Sequence, residues 1–281
     1  MTVKIGIIGG SGLYDIEGIE HVDEVMVETP FGEPSDKITI GMLNGKNVAF
    51  LPRHAKGHKI MPSEINYRAN IYALKSLGVQ SLISVSAVGS LKEEHKPGDI
   101  VFVDQFIDLT KNRKSTFFDN GIAAHVSMAD PVCNELQSLL YNTAKDLNLS
   151  CKMGGTYVCM EGPQFSSRAE SNLYRSWNVD VIGMTNMPEA KLAREVGMCY
   201  STIALVTDYD CWHSEEEDVT VEAILGILHK NSKNAKKLIA EAVRHIENKK
   251  ECGCSDALRF AIVTSPEAFS EKAKKDLSII I

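Results

Sequence analysis

The run Tyr200-Ser201-Thr202-Ile203-Ala204-Leu205-Val206 is apolar, rich in branched side chains and short. It reads as a buried strand. Runs of the same kind recur at residues 3–8, 37–42, 47–51, 79–86, 99–103, 155–160 and 179–184, and the last spans 198–206. Between several of them lie helical periodicities, at 63–77, 131–147, 167–177, 188–196 and 219–246. In the first of these Ile65, Ala69, Tyr72 and Ala73 share a face, and Ser63 is the expected cap. Strand followed by helix, repeated, predicts a central sheet with helices on both faces. The segments between residues 22 and 51 come as adjacent strands without helices, so part of the sheet is antiparallel. No repeat, low-complexity run or Pro/Ser linker divides the chain. The expectation is an α/β fold: a single domain over residues 1–281, a mixed central β-sheet flanked by helices, and a helical C-terminal tail from about residue 254.

Composition removes several classes of function. The net charge of -7 offers no basic field for nucleic acid or an anionic membrane. No stretch approaches the roughly 20 apolar residues of a membrane span. The start, Met1-Thr2-Val3-Lys4-Ile5-Gly6, lacks the pattern of a signal peptide, so the expected location is cytoplasmic. In that compartment Cys133, Cys151, Cys159, Cys199 and Cys211 read as buried thiols. Cys252-Gly253-Cys254 is an unusual spacing, but one Cys-x-Cys without a second pair argues only weakly for zinc.

The strand ends carry the chemistry. After the 198–206 run comes Thr207-Asp208-Tyr209-Asp210-Cys211-Trp212. Carboxylates at the C-terminal end of a buried strand lie where open α/β sheets bind small ligands. Taken alone, an Asp-x-Asp is more often a helix cap beside a solvated acid. Three other features shift that balance. Gly9-Gly10-Ser11-Gly12 fits neither a dinucleotide loop nor an ATP-binding loop, but its N–H groups and Ser11 hydroxyl suit a free anion. Arg53-His54 ends a second strand, where a guanidinium fork suits two phosphate oxygens and a histidine adds a donor. Ser86-Ala87-Val88-Gly89-Ser90 and Thr185 end two more. Each has a bland reading, as a tight turn or a surface ion pair. Together they describe an oxyanion pocket. No carboxylate cluster suits a divalent metal, so no metal and no cofactor are expected.

With these segments the chain resembles the 5'-methylthioadenosine phosphorylases, in the trimeric branch of the purine nucleoside phosphorylases. The resemblance rests also on Thr29-Pro30-Phe31-Gly32, His58, Pro62-Ser63, Asn66-Tyr67, Pro97-Gly98-Asp99, Glu161-Gly162-Pro163, Phe165-Ser166-Ser167-Arg168-Ala169-Glu170, Met184-Thr185 and Pro188-Glu189. These lie between residue 5 and about residue 225. The Cys-x-Cys pair resembles a feature of thermophilic archaeal members. The resemblance implies phosphorolysis of S-methyl-5'-thioadenosine to adenine and 5-methylthioribose 1-phosphate, with inorganic phosphate as co-substrate. It implies that Ser11, Arg53, His54, Ser86, Ala87 and Thr185 hold phosphate and that Met184 lies against the sugar. Asp208 and Asp210 would be the catalytic pair at the purine edge, with Tyr209 and Phe165 in the substrate site. Val221 and Ile224 would line the pocket for the 5' substituent, and His125 would reach it from a neighbouring subunit. A homotrimer or a dimer of trimers is implied as well. Disulfides Cys133–Cys199 and Cys252–Cys254 are expected only in a thermophilic host. Two positions depart from the commonest animal pattern: Ser11 keeps the hydroxyl of a Thr, whereas Gly183 replaces an Asn and removes a polar contact.

The Asp pair also speaks to the base. Burial beside a second carboxylate raises one pKa, and a protonated Asp208 donates to N7 of the leaving purine. A carboxylate accepts from a 6-amino group and repels a 6-oxo group. In the resemblance, branches using 6-oxopurines carry Asn for Asp208 and Glu for Ser166. The alternatives are a phosphorylase of inosine or guanosine, a nucleoside hydrolase, and a non-catalytic nucleoside-binding protein. His95, His213, His229 and His245 read as surface residues, and 215–218 as a solvated helix start.

Overall fold

The computed structural model describes residues 2–10, 13, 18–119, 121–213, 221–247 and 251–281, the side chains of 221–225 excepted. In chain order the elements are β1 (Ile5–Gly9), β2 (Ile19–Val25), β3 (Ile38–Leu43), β4 (Lys46–Pro52), α1 (Tyr67–Ser76), β5 (Ser81–Ser90), β6 (Ile100–Phe102), β7 (Gln105–Asp108) and α2 (Asn134–Asp146). They continue with β8 (Cys151–Met153), β9 (Thr156–Cys159), α3 (Arg168–Ser176), β10 (Val181–Gly183), α4 (Glu189–Glu195), β11 (Cys199–Asp208), α5 (Val221–His245) and α6 (Glu271–Asp276).

The strands form one mixed sheet. β1 pairs parallel with β4 and β5, and β5 pairs parallel with β11, so these four strands end on the same side of the molecule. The 22–51 region is antiparallel as expected, through β2–β3 and β3–β4. β5 is the branch point. Its far end, Gly89 and Ser90, pairs antiparallel with β10. That turns β10 back toward the cluster of strand ends and delivers residues 183–185 there. β11 carries a bulge between Val206 and Asp208. Such an irregularity re-aims the side chains that follow it.

One sheet face is closed by α1 and α4 through Ile71, Tyr72, Leu192 and Ala193. The other is closed by α2 and α5 through Leu136, Leu140, Leu238 and Ile239. β5 and β11 are buried along nearly their whole length, which explains why their sequences run apolar without alternation.

Several expectations need correction. Asn66, not Ser63, caps α1: its side chain accepts from Ala69 N, while 62–64 form a turn. β7 and β8, of four and three residues, were not among the expected strands. His95 is buried rather than on the surface, with Nε2 3.0 Å from Asp180 Oδ1. His213 stacks on Tyr209 with ring centroids 4.6 Å apart. All seven cysteines carry free thiols, so neither Cys133–Cys199 nor Cys252–Cys254 is a bond here. The acidic run 215–218 lies outside the described residues.

Candidate active site

A cavity of about 510 Å3 opens where β1, β4, β5, β10 and β11 end. It is a size suited to a small organic ligand. Arg53, His54, Ser86, Ala87, Phe165, Met184, Thr185, Asp208 and Asp210 all line it. Ser11 lies outside the described residues, as do the side chains of Val221 and Ile224. His125 lines a separate depression beside Thr116 and Glu195. Tyr209 is buried against Trp212 and His213, and Ser166 touches Met160, so neither side chain faces the cavity directly.

One end of the cavity is lined by hydroxyls. Ser86 Oγ lies 3.0 Å from Thr185 Oγ1 and 3.2 Å from Tyr157 Oη. Ala87 follows on β5 with its side chain exposed to the cavity. Tyr157 also explains Gly183. A Cβ at residue 183 would stand 2.0 Å from Tyr157 Oη, so the tyrosine hydroxyl fills the space of a side chain there.

Arg53 departs from the expected phosphate fork. It is 1% exposed, and Nε and Nη2 both bind the carboxylate of Glu189 at 2.7 and 3.0 Å. Nη2 also donates to Ser84 Oγ at 2.8 Å, and Nη1 to Val85 O at 3.0 Å. Among the described residues, one Nη1 hydrogen remains for a ligand. Glu189 accepts from Ser84 and Tyr200 as well, so a closed polar network lies beneath the cavity floor. Sequence reasoning gave Glu189 no role, because its partner Arg53 follows β4, 136 positions away.

His54 is also changed. Its Nδ1 lies 2.8 Å from Ile60 O. A carbonyl only accepts, so the hydrogen sits on Nδ1 and Nε2 keeps its lone pair. Burial, then the Arg53 charge, pushes its pKa down to about 3. The ring is therefore neutral, and Nε2 is an acceptor rather than the expected donor.

At the other end Asp208 Oδ1 accepts from Asp210 N at 2.8 Å, and Oδ2 accepts from Thr207 Oγ1 at 2.7 Å. Burial raises the Asp208 carboxyl above its ordinary range, with repulsion from Asp210 a lesser contribution. Burial raises Asp210 too, against the Ser171 hydroxyl and the Cys211 N–H. Asp210 sits at φ 52°, and its Oδ2 is buried without a hydrogen-bond partner of good geometry. Gly89 makes room for the pair: a Cβ there would stand 2.8 Å from Asp208 Oδ1. Arg113, unforeseen from sequence, holds the opposite wall by donating to Met184 O and Met187 O at 2.6 and 2.7 Å and to Glu161 Oε1 at 2.8 Å.

Residues 4–244 match the model of the phosphorylase superfamily. The chain is 56% identical to the S-methyl-5'-thioadenosine phosphorylase of Geobacter sulfurreducens, over 100% of this chain and 99% of that one. It is 54% identical to that of Saccharolobus solfataricus, over 92% and 97%. A solved methylthioadenosine phosphorylase sourced from an antarctic soil metagenomic library aligns with TM-score 0.95 at 52% identity, covering 100% of this chain and 99% of that one. The methylthioadenosine phosphorylase of Schistosoma mansoni in complex with adenine aligns with TM-score 0.86 at 38% identity, covering 92% and 96%. The chain belongs to the phosphorylase superfamily and, within it, to the S-methyl-5'-thioadenosine phosphorylases.

Proposed function

We propose that the chain cleaves S-methyl-5'-thioadenosine with inorganic phosphate, giving adenine and 5-methylthioribose 1-phosphate. The carrying observation is one cavity with a hydroxyl-lined floor at one end and a buried Asp pair at the other. The full-length likeness to phosphorylases of that name supports it.

Phosphate is held by Ser86, Thr185, Ala87 N–H, the remaining Arg53 hydrogen and Ser11. Neutral His54 accepts from the phosphate's own hydroxyl, so the attacking oxygens stay unprotonated. Donors fixed before reaction stabilise the oxocarbenium-like transition state without reorganising. The Arg53–Glu189 network keeps that floor in place.

The base leaves as its N7 gains a proton. Thr207 has one hydroxyl hydrogen and two acceptors, Asp208 Oδ2 at 2.7 Å and Val88 O at 3.2 Å. Turned to Val88, it frees Oδ2 to carry the proton. The unpartnered Asp210 Oδ2 accepts from a 6-amino group, and a 6-oxo group there would meet a repelling oxygen. Met184 and Phe165 pack the sugar and base. No cofactor takes part; phosphate is a co-substrate.

No helix among the described residues is long and apolar enough to cross a membrane. A cytoplasmic enzyme, assembled as a trimer or a dimer of trimers, fits this reading. His125 then completes the 5' pocket of a neighbouring copy, beside Val221 and Ile224. Base release decides the matter: adenine must appear from methylthioadenosine only when phosphate is added, and much faster than hypoxanthine from inosine. Release without phosphate identifies a hydrolase, and faster turnover of inosine identifies a 6-oxopurine enzyme.

A further inference from the structure

Four of the seven cysteines meet at one point, away from the cavity. The Sγ atoms of Cys133, Cys199, Cys252 and Cys254 all lie within 4.8 Å of one another. Cys199 Sγ and Cys252 Sγ are 3.3 Å apart, a non-bonded contact. Three chain segments supply them. Cys133 caps the start of α2, Cys199 opens β11, and Cys252 and Cys254 flank Gly253 after α5. The backbone brings the first two together, because Cys133 N donates to Tyr200 O at 2.9 Å. Gly197 admits the third segment. It sits at φ 67°, and a Cβ there would lie 3.2 Å from the Cα and O of Ser255.

We propose that these four thiols form a closed tetrathiolate site for a soft divalent cation of the zinc class. Zn–S bonds of about 2.3 Å set tetrahedral S···S separations of about 3.8 Å, inside the spread of this cluster. Cys133, Cys199 and Cys254 are 3%, 3% and 5% exposed. With four ligands and little solvent access there is no open coordination position, which marks a structural rather than a catalytic site. The ten-residue β11 also puts about 30 Å between Cys199 and Asp208. Binding forms four Zn–S bonds and releases the thiol protons to solvent, and no electrons move. Four thiolates around a divalent ion leave excess negative charge. The Arg194 guanidinium, with Nη1 3.8 Å from Cys254 Sγ, and the N-terminus of α2 both offset it. The ion would fasten the C-terminal segment to α2 and β11.

The test starts with the full-length protein purified under reductant, stripped with a chelator and titrated with Zn2+ or Co2+ alone. About one ion per chain is expected, and the Co2+ form should show thiolate-to-metal absorption with the bands of a tetrahedral centre. The loaded protein should melt above the stripped one. A Cys252→Ser/Cys254→Ser variant should retain at least about tenfold less metal, while Cys151→Ser retains all of it. The proposal falls if reduced wild-type protein binds neither ion, or if the double variant keeps its metal. It falls equally if alkylation of unreduced protein from the producing cells recovers these cysteines as two disulfides. The wild-type titration stands by itself if the double variant does not fold.

Discussion

Arg53 puts a full positive charge beneath the cavity floor, and Glu189 balances it. Desolvation alone would lower the Arg53 pKa, but the carboxylate overrides it and holds the group charged. Breaking one side of such a pair leaves a buried charge uncompensated, at about 3–5 kcal/mol. Glu189→Gln keeps the shape and one acceptor but removes the charge. It should lose several kcal/mol in urea unfolding, and an unchanged midpoint would mean that the pair is not a support. Asp208 makes a different prediction. Its raised pKa means that the acid form persists to higher pH than for an exposed Asp. If that form protonates the base, turnover should fall as pH rises through the shifted pKa. Asp208→Asn should lose that limb, lose about 10²–10⁴ in rate on methylthioadenosine, and shift relative preference toward 6-oxopurines. An unaltered preference ratio would remove Asp208 from base recognition.

Among the elements, the corner where β5, β9 and β10 meet holds Gly89 and Gly183 against the cavity. Asp180 fastens it. One oxygen pairs with Lys92 Nζ at 2.6 Å and with His95 Nε2 at 3.0 Å, and the other accepts from Thr156 N at 2.7 Å. Burial opposes the charged form, but His95, Lys92 and Thr156 outweigh it and hold the carboxyl at about 2. The folded pKa is below the unfolded one, so this stability is present above pH 4 and is lost as pH falls toward 2. Asp180→Asn should therefore cost about 1–2 kcal/mol at neutral pH, with the gap to wild type closing below about pH 3. A pH-independent difference would point to packing instead. This corner also marks the limit of the sequence. The long strands and the helices were legible because each carries its own period, and Ser167 with Glu170 wrote the capping box of α3 in plain view. Asp208, Arg53 and Thr185 were legible as strand ends. His95 looked like a surface residue because Asp180, 85 positions away, is what buries it. Glu189 was missed for the same reason, and so was the meeting of the two expected cysteine pairs, Cys133 with Cys199 and Cys252 with Cys254, at one point: these groups are neighbours only in space.

At the scale of the whole molecule, one region of the surface is unlike the rest. Phe260 is 89% exposed and Val263 67%, the two most exposed large apolar side chains among the described residues. They flank Ile262, which bridges to Ala124, and His125 N donates to Ala261 O beside it. A face carrying such residues is more often an interface than free surface. It also carries His125, a proposed substrate contact that lines a depression apart from its own chain's cavity. If a second copy covers this face, assembly and the 5' pocket are linked. Phe260→Asp/Val263→Asp should then shift the mass in light scattering from trimer or hexamer to monomer. Secondary structure should be kept, because neither side chain belongs to a core. The monomer should lose turnover of methylthioadenosine by at least about tenfold, since the 5' group loses one wall. His125→Ala in the intact assembly should raise KM for the nucleoside and leave KM for phosphate alone. A wild-type chain that is already monomeric and fully active would separate the two ideas, placing the 5' pocket within a single subunit and leaving Phe260 and Val263 as surface.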